Sequence, residues 1–308
     1  DLAIYGSYNE GMRAPTSMEL GCANPEVPCK LPNAMAGDPP LEKVVAKTFE
    51  AGMRGNLSQD VKWSAALYRT ENHNDIQFIS TNATVANMGY FDNVGKTRRQ
   101  GLDAALAGSV GKLSWNAGYS YLKATYQSVD PDVKWMAEGN SEADEDGLIQ
   151  VNKGDRLANL PSHAFKMRMQ YAMTPNWTVG SNVNAFSSVY MRGNENNAHD
   201  GTNVNNDEAV VAGGKVKGYT VFNMDTRYKF NNSGWQVFAK ANNVFNKKYA
   251  TGGMLGENWF EVDGGVASFS GSGEGDRMLM LGAPRAAWIG MRYDFGKPKG
   301  AAANVDAD

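Results

Sequence analysis

Apolar and polar residues alternate one by one along most of the chain. In "HAFKMRMQYAM" (163–173), Phe165, Met167, Met169, Tyr171 and Met173 fall on one side, with Lys166, Arg168 and Gln170 on the other. In "VVAKTFEAGMRGN" (44–56), Phe49, Ala51 and Met53 share a face, and Glu50, Gly52 and Arg54 take the opposite one. Successive side chains of a strand point to opposite sides, so a period of two predicts strands with one apolar and one polar face. The pattern recurs in pairs around short turns. "LSQDVK" separates the second segment above from "WSAALYRTENHNDIQFIS", "GK" separates "RRQGLDAALAGSV" from "LSWNAGYSYLKATY", and "TPN" separates the first from "WTVGSNVNAFSSVYM". "NNSG" lies between "YTVFNMDTRYKF" and "WQVFAKANNVFNKKY". With "DLAIYGSYNEG" at the start and "APRAAWIGMRYDF" near the end, about ten antiparallel strands are predicted.

The connections sharpen this. Long polar stretches at roughly 15–42, 80–95, 127–161, 193–217 and 249–283 occupy every second connection, so they share one end of the sheet. Trp63, Trp115, Trp177, Trp235, Tyr228 and Phe230 stand near strand ends beside the short turns, where an interfacial aromatic girdle would lie. Strands of about 10–15 residues are long for soluble sheets and suit tilted spans of a bilayer. A soluble β-sandwich also alternates, but girdle, strand length and one-sided loops together predict a transmembrane antiparallel β-barrel. A mean hydropathy of -0.47 fits, because alternating strands average to a polar-looking sequence. No apolar run approaches the roughly 18 residues of a membrane helix. The formal net charge of -3 gives no global basic field, so no nucleic-acid partner is expected.

Candidate chemistry is sparse. His73, His163 and His199 lie far apart in sequence, and no Ser/His/Asp arrangement or phosphate-cradling loop is present. Neither an enzyme nor a resident metal or other cofactor is expected. Cys22 and Cys29 are the two cysteines, in a loop rich in Pro and Asn. They read as a local disulfide of an oxidising compartment, or as two unpaired loop thiols; two ligands cannot close a tetrahedral zinc site. In "EADEDG", Glu142, Asp144 and Asp146 alternate before Gly147 as in a calcium loop, but Lys153 stands where a bidentate glutamate would be needed. A solvated loop is the plainer reading.

Five stretches, in order, resemble one family. "YGSYNEGMRAPTSMEL" looks like a strand and loop near mid-barrel of TonB-dependent outer-membrane receptors of the siderophore-receptor type, and "DPPLEKVVAKTFEAGMRG" like the strand that returns from that loop. "YFDNVGKTRRQGLDAAL" is similar to their "N-V-G-x-T-R-x-x-G" strand entry. "FAKANNVFNKKYATG" and "GAPRAAWIGMRYDF" resemble the penultimate and last strands. The resemblance runs from Asp1 to about Phe295 and implies a barrel of about 22 strands around a plug, of which this chain would supply about ten C-terminal strands. It implies energy delivered through TonB by way of a TonB box and plug that are not in this sequence. Asp1 falls directly inside a strand pattern, so the chain is expected to be a piece of something longer, with a β-barrel part (1–295) and a polar tail (296–308). The tail follows Phe295, where such receptors normally stop.

The function implied is active transport in a bacterial outer membrane, taking up a ferric siderophore or similar iron chelate, with that chelate, TonB and outer-membrane lipid as partners. A passive porin and a soluble β-sandwich binding module are the alternatives. Haem receptors of this family carry a histidine after a related Arg-Ala-Pro box, and none falls between Arg13 and Leu41. The polar strand faces carry Arg54, Lys166, Arg168, Arg227, Lys240 and Arg292, which can pair with wall carboxylates such as Glu50, Asp103 and Asp225 or attract an anionic chelate. Arg13 and Arg192, where strands meet loops, join Lys166 and Arg168 as ligand-binding candidates. On this reading the break at "MRAPT" is where a strand leaves the membrane, with the cysteines bracing the loop beyond.

Overall fold

The alternating segments form ten long strands in the computed structural model, which describes residues 1–23, 41–80, 89–133, 135–137, 139–200, 213–231, 233–263 and 266–295. We label these strands β1 (Leu2–Arg13), β2 (Val44–Ser58), β3 (Val61–His73), β4 (Gly95–Val110), β5 (Leu113–Val129), β6 (His163–Thr174), β7 (Trp177–Phe186), β8 (Tyr219–Lys229), β9 (Trp235–Asn242) and β10 (Ala286–Tyr293). They make one antiparallel meander in chain order, with β1 and β10 at its two ends and not paired with each other. The ten-strand sheet is therefore open. The tail expected at 296–308 lies outside the described residues.

Register partners share a side of a sheet, so the pairing defines two faces. On one, a row runs Leu106–Ala117–Met167–Val183–Phe222 across β4 to β8. The next rows toward the short turns hold Trp115, Met169 and Met224, then Tyr171, Val179 and Ile289, then Trp177, Tyr228 and Met291. The other face carries Arg168, Asn182 and Asn223 in one row and Gln170, Gly180, Asp225 and Lys240 in the next. Leu67, Phe165, Tyr171, Met224 and Ile289 are exposed, and among the described residues no second sheet covers them. A sandwich would bury that face.

Four predicted segments needed correction. "WSAALYRTENHNDIQFIS" is not one strand: β3 stops at His73, Asn74 takes a positive φ of 55°, and Ile76–Ser80 pairs instead with Gly89–Asn93. "WTVGSNVNAFSSVYM" divides after Phe186, and Val189–Tyr190 pairs with Lys215–Val216. β9 ends at Asn242 because Asn243 and Asn246 adopt left-handed φ values of 48° and 50°, which asparagine tolerates and which ends a strand. Residues 249–283, expected as a loop, form a long hairpin, Ala250–Asp263 with Val266–Leu281. Its glycine-rich sequence lacks strict alternation, so cross-strand pairing that periodicity does not report organises it.

The "RAPT" break has a local cause. Thr16 caps a short helix, α1 (Ser17–Gly21): its hydroxyl accepts from the Glu19 N–H while the Glu19 carboxylate accepts from the Thr16 N–H. This reciprocal box satisfies two donors at the helix start.

Candidate functional site

The long connections build a packed layer at one end of the sheet. Ile79, Tyr126, Trp135 and Val151 are buried together, with Tyr126 and Trp135 edge to face at 5.5 Å. Such a core fixes loops that their polar composition alone would leave mobile. It draws together connections far apart in sequence: Asn140 Nδ2 donates to the Gly193 carbonyl at 2.7 Å, and the Gly253 N–H donates to Asn159 Oδ1 at 3.0 Å.

Arg192 is at the centre of this layer. Its guanidinium donates to the Phe78 carbonyl at 2.9 Å and lies over the Phe78 ring, 5.0 Å from the centroid. Its backbone forms a parallel bridge with Met254, donating to Gly253 O at 3.0 Å and accepting from Leu255 N at 2.8 Å. Arg192 thus ties three hairpins together. Beside it the Glu195 carboxyl is buried, and burial pushes its pKa up although the Arg192 charge pulls the other way.

The other sequence-predicted residues are dispersed. Arg13, at the end of β1, donates to Glu19 Oε2 at 2.6 Å and so holds α1 against the strand that precedes it. Lys166 projects from the polar face of β6 with its ammonium 6.0 Å from the Phe186 ring centroid, and it makes no ion pair among the described residues. Arg168, two residues on, forms a forked pair with Asp225 two strands away, Nη2 to Oδ1 at 2.9 Å. Lys166 and Arg168 share a face; Arg13 and Arg192 belong to separate surroundings.

Cys29 lies outside the described residues, so the Cys22–Cys29 pairing stays a proposal. Asp144 turns inward on its own hairpin, Oδ1 accepting from the Asp146 and Leu148 N–H groups at 3.0 and 2.9 Å. Among the described residues no three His, Cys, Asp or Glu side chains converge as metal ligands. His163 Nδ1 lies 2.8 Å from the Tyr119 hydroxyl and His199 Nδ1 accepts from the Ser141 N–H, so the histidines serve separate contacts.

The strand entry "NVGKTRRQG" carries the resemblance as a motif, but the roles of its side chains were not read from the sequence. Val94 and Thr97 are wholly buried, and the Thr97 hydroxyl donates to the buried Asp75 at 2.6 Å. Arg99 turns to the same Asp75, whereas Lys96 and Arg98 go to the other face, to Glu71. Consecutive basic residues in a strand were the available signal, because they must divide between two faces.

No helix among the described residues is long and apolar enough to cross a membrane, which leaves strand-crossing open. The fold is similar to that of the siderophore receptor PiuA from Acinetobacter baumannii (20% identity, TM-score 0.58, covering 94% of this chain and 33% of that one). It is similar also to the copper transporter OprC (16%, TM-score 0.60, 96% and 37%). A third is the ferric yersiniabactin uptake receptor FyuA from Yersinia pestis (14%, TM-score 0.58, 96% and 35%). The chain spans about a third of the length of these receptors. The family model "TonB dependent receptor-like, beta-barrel" matches residues 1–244, and the chain belongs to that family.

Proposed function

We propose that this chain forms part of the wall of an outer-membrane active transporter that takes up a ferric siderophore or similar iron chelate with energy supplied through TonB. The observation that carries the reading is the division of a family-typical antiparallel wall into a mainly apolar face and a polar face bearing Lys166, Arg168, Arg227 and Lys240. An apolar face with nothing packed on it suits lipid, and a cation-bearing inner face suits an anionic chelate. The loop layer supports the same reading, since it would stand at the outer mouth. Residues 1–295 would be wall and loops, with 296–308 a polar tail.

Uptake of a radiolabelled ferric chelate into cells with and without the gene tests this. The expected result is uptake that needs both the gene and TonB and stops on adding a protonophore. Uptake that ignores the protonophore would replace the proposal with a passive porin. Uptake of copper but not iron chelates would keep the active transporter and change its cargo, an arm motivated by the similarity to a copper transporter.

A further inference from the structure

The hairpin over residues 250–281 sorts its apolar side chains by chemistry as well as by side. Its two strands carry "TGGMLGE" and "DRMLMLG", and the register pairs Gly252 with Met280, Gly253 with Leu279 and Met254 with Met278. Cross-strand partners share a face and successive residues alternate. Met254, Met278 and Met280 therefore stand together on one side, and Leu255, Leu279 and Leu281 on the other. On the leucine side, Leu255 is buried with Val189, Met191 and Val216. On the methionine side, Met254 is half-buried, and Met278 and Met280 are 36% and 54% exposed. Leucine stands in the open on this hairpin too, at Leu281, so exposure by itself does not call for a thioether.

Glycine makes room for the sulfurs. A Cβ on Gly252 would lie 3.4 Å from Met280 Sδ and 3.0 Å from Asn159 Oδ1, so the Met280 side chain folds across onto the opposite strand. Asn159 is fixed there, because its Oδ1 accepts from the Gly253 N–H at 3.0 Å. Met254 is two residues beyond Gly252 on the same face and directly opposite Met278. Opposed Cβ atoms are about 4.5–5.5 Å apart and diagonal ones roughly 7–8 Å, within reach of side chains with three rotatable bonds. The three sulfurs can therefore meet at one point. The backbone beneath is held on both edges, by Met278 to Met280 on one and by the parallel bridge to Arg192 on the other.

Thioether sulfur is a soft, neutral donor that suits Cu(I), whereas Ca(II) and Mg(II) take oxygen. Zinc takes thiolate, imidazole or carboxylate, and among the described residues no three such side chains converge. We propose that Met254, Met278 and Met280 form a three-sulfur site for a soft monovalent cation, Cu(I) or its air-stable analogue Ag(I). The site stands apart from the polar wall face of Lys166 and Arg168, and it does not rest on the chelate-uptake reading.

The test uses the full-length receptor containing this chain, in nonionic detergent and chloride-free buffer, with any free thiol alkylated beforehand. Equilibrium dialysis against Ag(I), with silver per protein measured by mass spectrometry, compares wild type, M254L/M278L/M280L and, as a control, M167L/M169L on the wall. Methionine and leucine exchange at nearly constant volume, so the variants keep the fold. Removing even an outer-shell partner of a metal costs roughly 10–100-fold in affinity. The triple variant should thus bind one Ag(I) fewer, that site weakening by at least about a hundredfold, while the control keeps wild-type stoichiometry. M280L alone, at an exposed position, should weaken the site about tenfold. Thioethers carry no proton to release, so the difference between wild type and triple variant should persist from about pH 5 to 7.5, unlike that of a histidine or thiolate site. Equal silver binding by wild type and triple variant, equal loss in the control, loss of the difference at the acidic end, or its displacement by equimolar Zn(II) would each overturn the proposal. None of these results bears on chelate uptake, which is read separately.

Discussion

Arg168 on β6 reaches Asp225 on β8 by passing over β7 at the one position without a side chain. Arg168 is paired in register with Asn182, and Asp225 with Gly180. A Cβ built on Gly180 would meet the Arg168 guanidinium at 2.5 Å. The forked contact spans three strands because Gly180 leaves the path open.

This makes Gly180→Val and Asp225→Ala equivalent in their main effect. Each should cost about 1–3 kcal/mol, the range for a hydrogen bond to a charged group, and the double variant little more than either alone. Urea unfolding of the folded protein in detergent measures all three. Additive losses would show that Gly180 is not there for the pair.

Met167 lies outward between Ala117 and Val183, mid-way along β6, and Lys166 beside it points to the other face. Met167→Arg should cost about 2–4 kcal/mol of barrel stability, as arginine does near a bilayer midplane. Lys166→Ala should cost much less and should appear in chelate uptake, if anywhere. Reversible unfolding in lipid vesicles reads the first and an uptake assay the second; equal penalties at both sites would defeat the assignment of faces.

Arg192→Ala should loosen the loop layer and spare the wall. It removes a hydrogen bond to Phe78 and a ring contact, together about 1–3 kcal/mol of local stability. Hydrogen exchange should quicken at residues 76–80 and 253–255 but not in β6 to β8. Uniform loss of protection would mean that layer and wall unfold together.

Glu195 gives the layer a pH dependence. Burial raises its pKa, so the folded layer binds that proton more tightly than the unfolded chain does. The resulting stability is fully present below the ordinary glutamate range and is lost as pH rises through the raised value. Protection of residues 189–199, corrected for intrinsic exchange, should therefore fall with rising pH, and Glu195→Gln should flatten that fall and raise protection at neutral pH. An unchanged profile in the variant would assign the dependence to other groups.

Peptide mapping without reduction should find Cys22 joined to Cys29. The ring is short, so its loss should cost no more than about 2–3 kcal/mol, confined to that loop. Two free thiols would exclude the bridge.

Alternation, turn residues and the spacing of long connections already determined the strands, their chain-order pairing and their faces, because each is set by local geometry with a period of two. Phe165, Met167 and Lys166 could be assigned to sides from eleven letters. The capping box at Thr16 and Glu19 is equally local, three residues apart, although the sequence reading takes that stretch only as the break where a strand ends. The tertiary structure alone decided what the connections do. Arg192 looked like a cation at a strand end, and its engagement with Phe78, 114 residues earlier, depends on hairpins that meet only once the sheet has brought their strands together. Likewise the partner of Arg168 is chosen by a glycine on the intervening strand, and the hairpin over residues 250–281 by pairing across a sequence that does not alternate. Period and propensity act between neighbours in the chain, whereas these contacts join neighbours in space, and only folding brings them within a few ångströms.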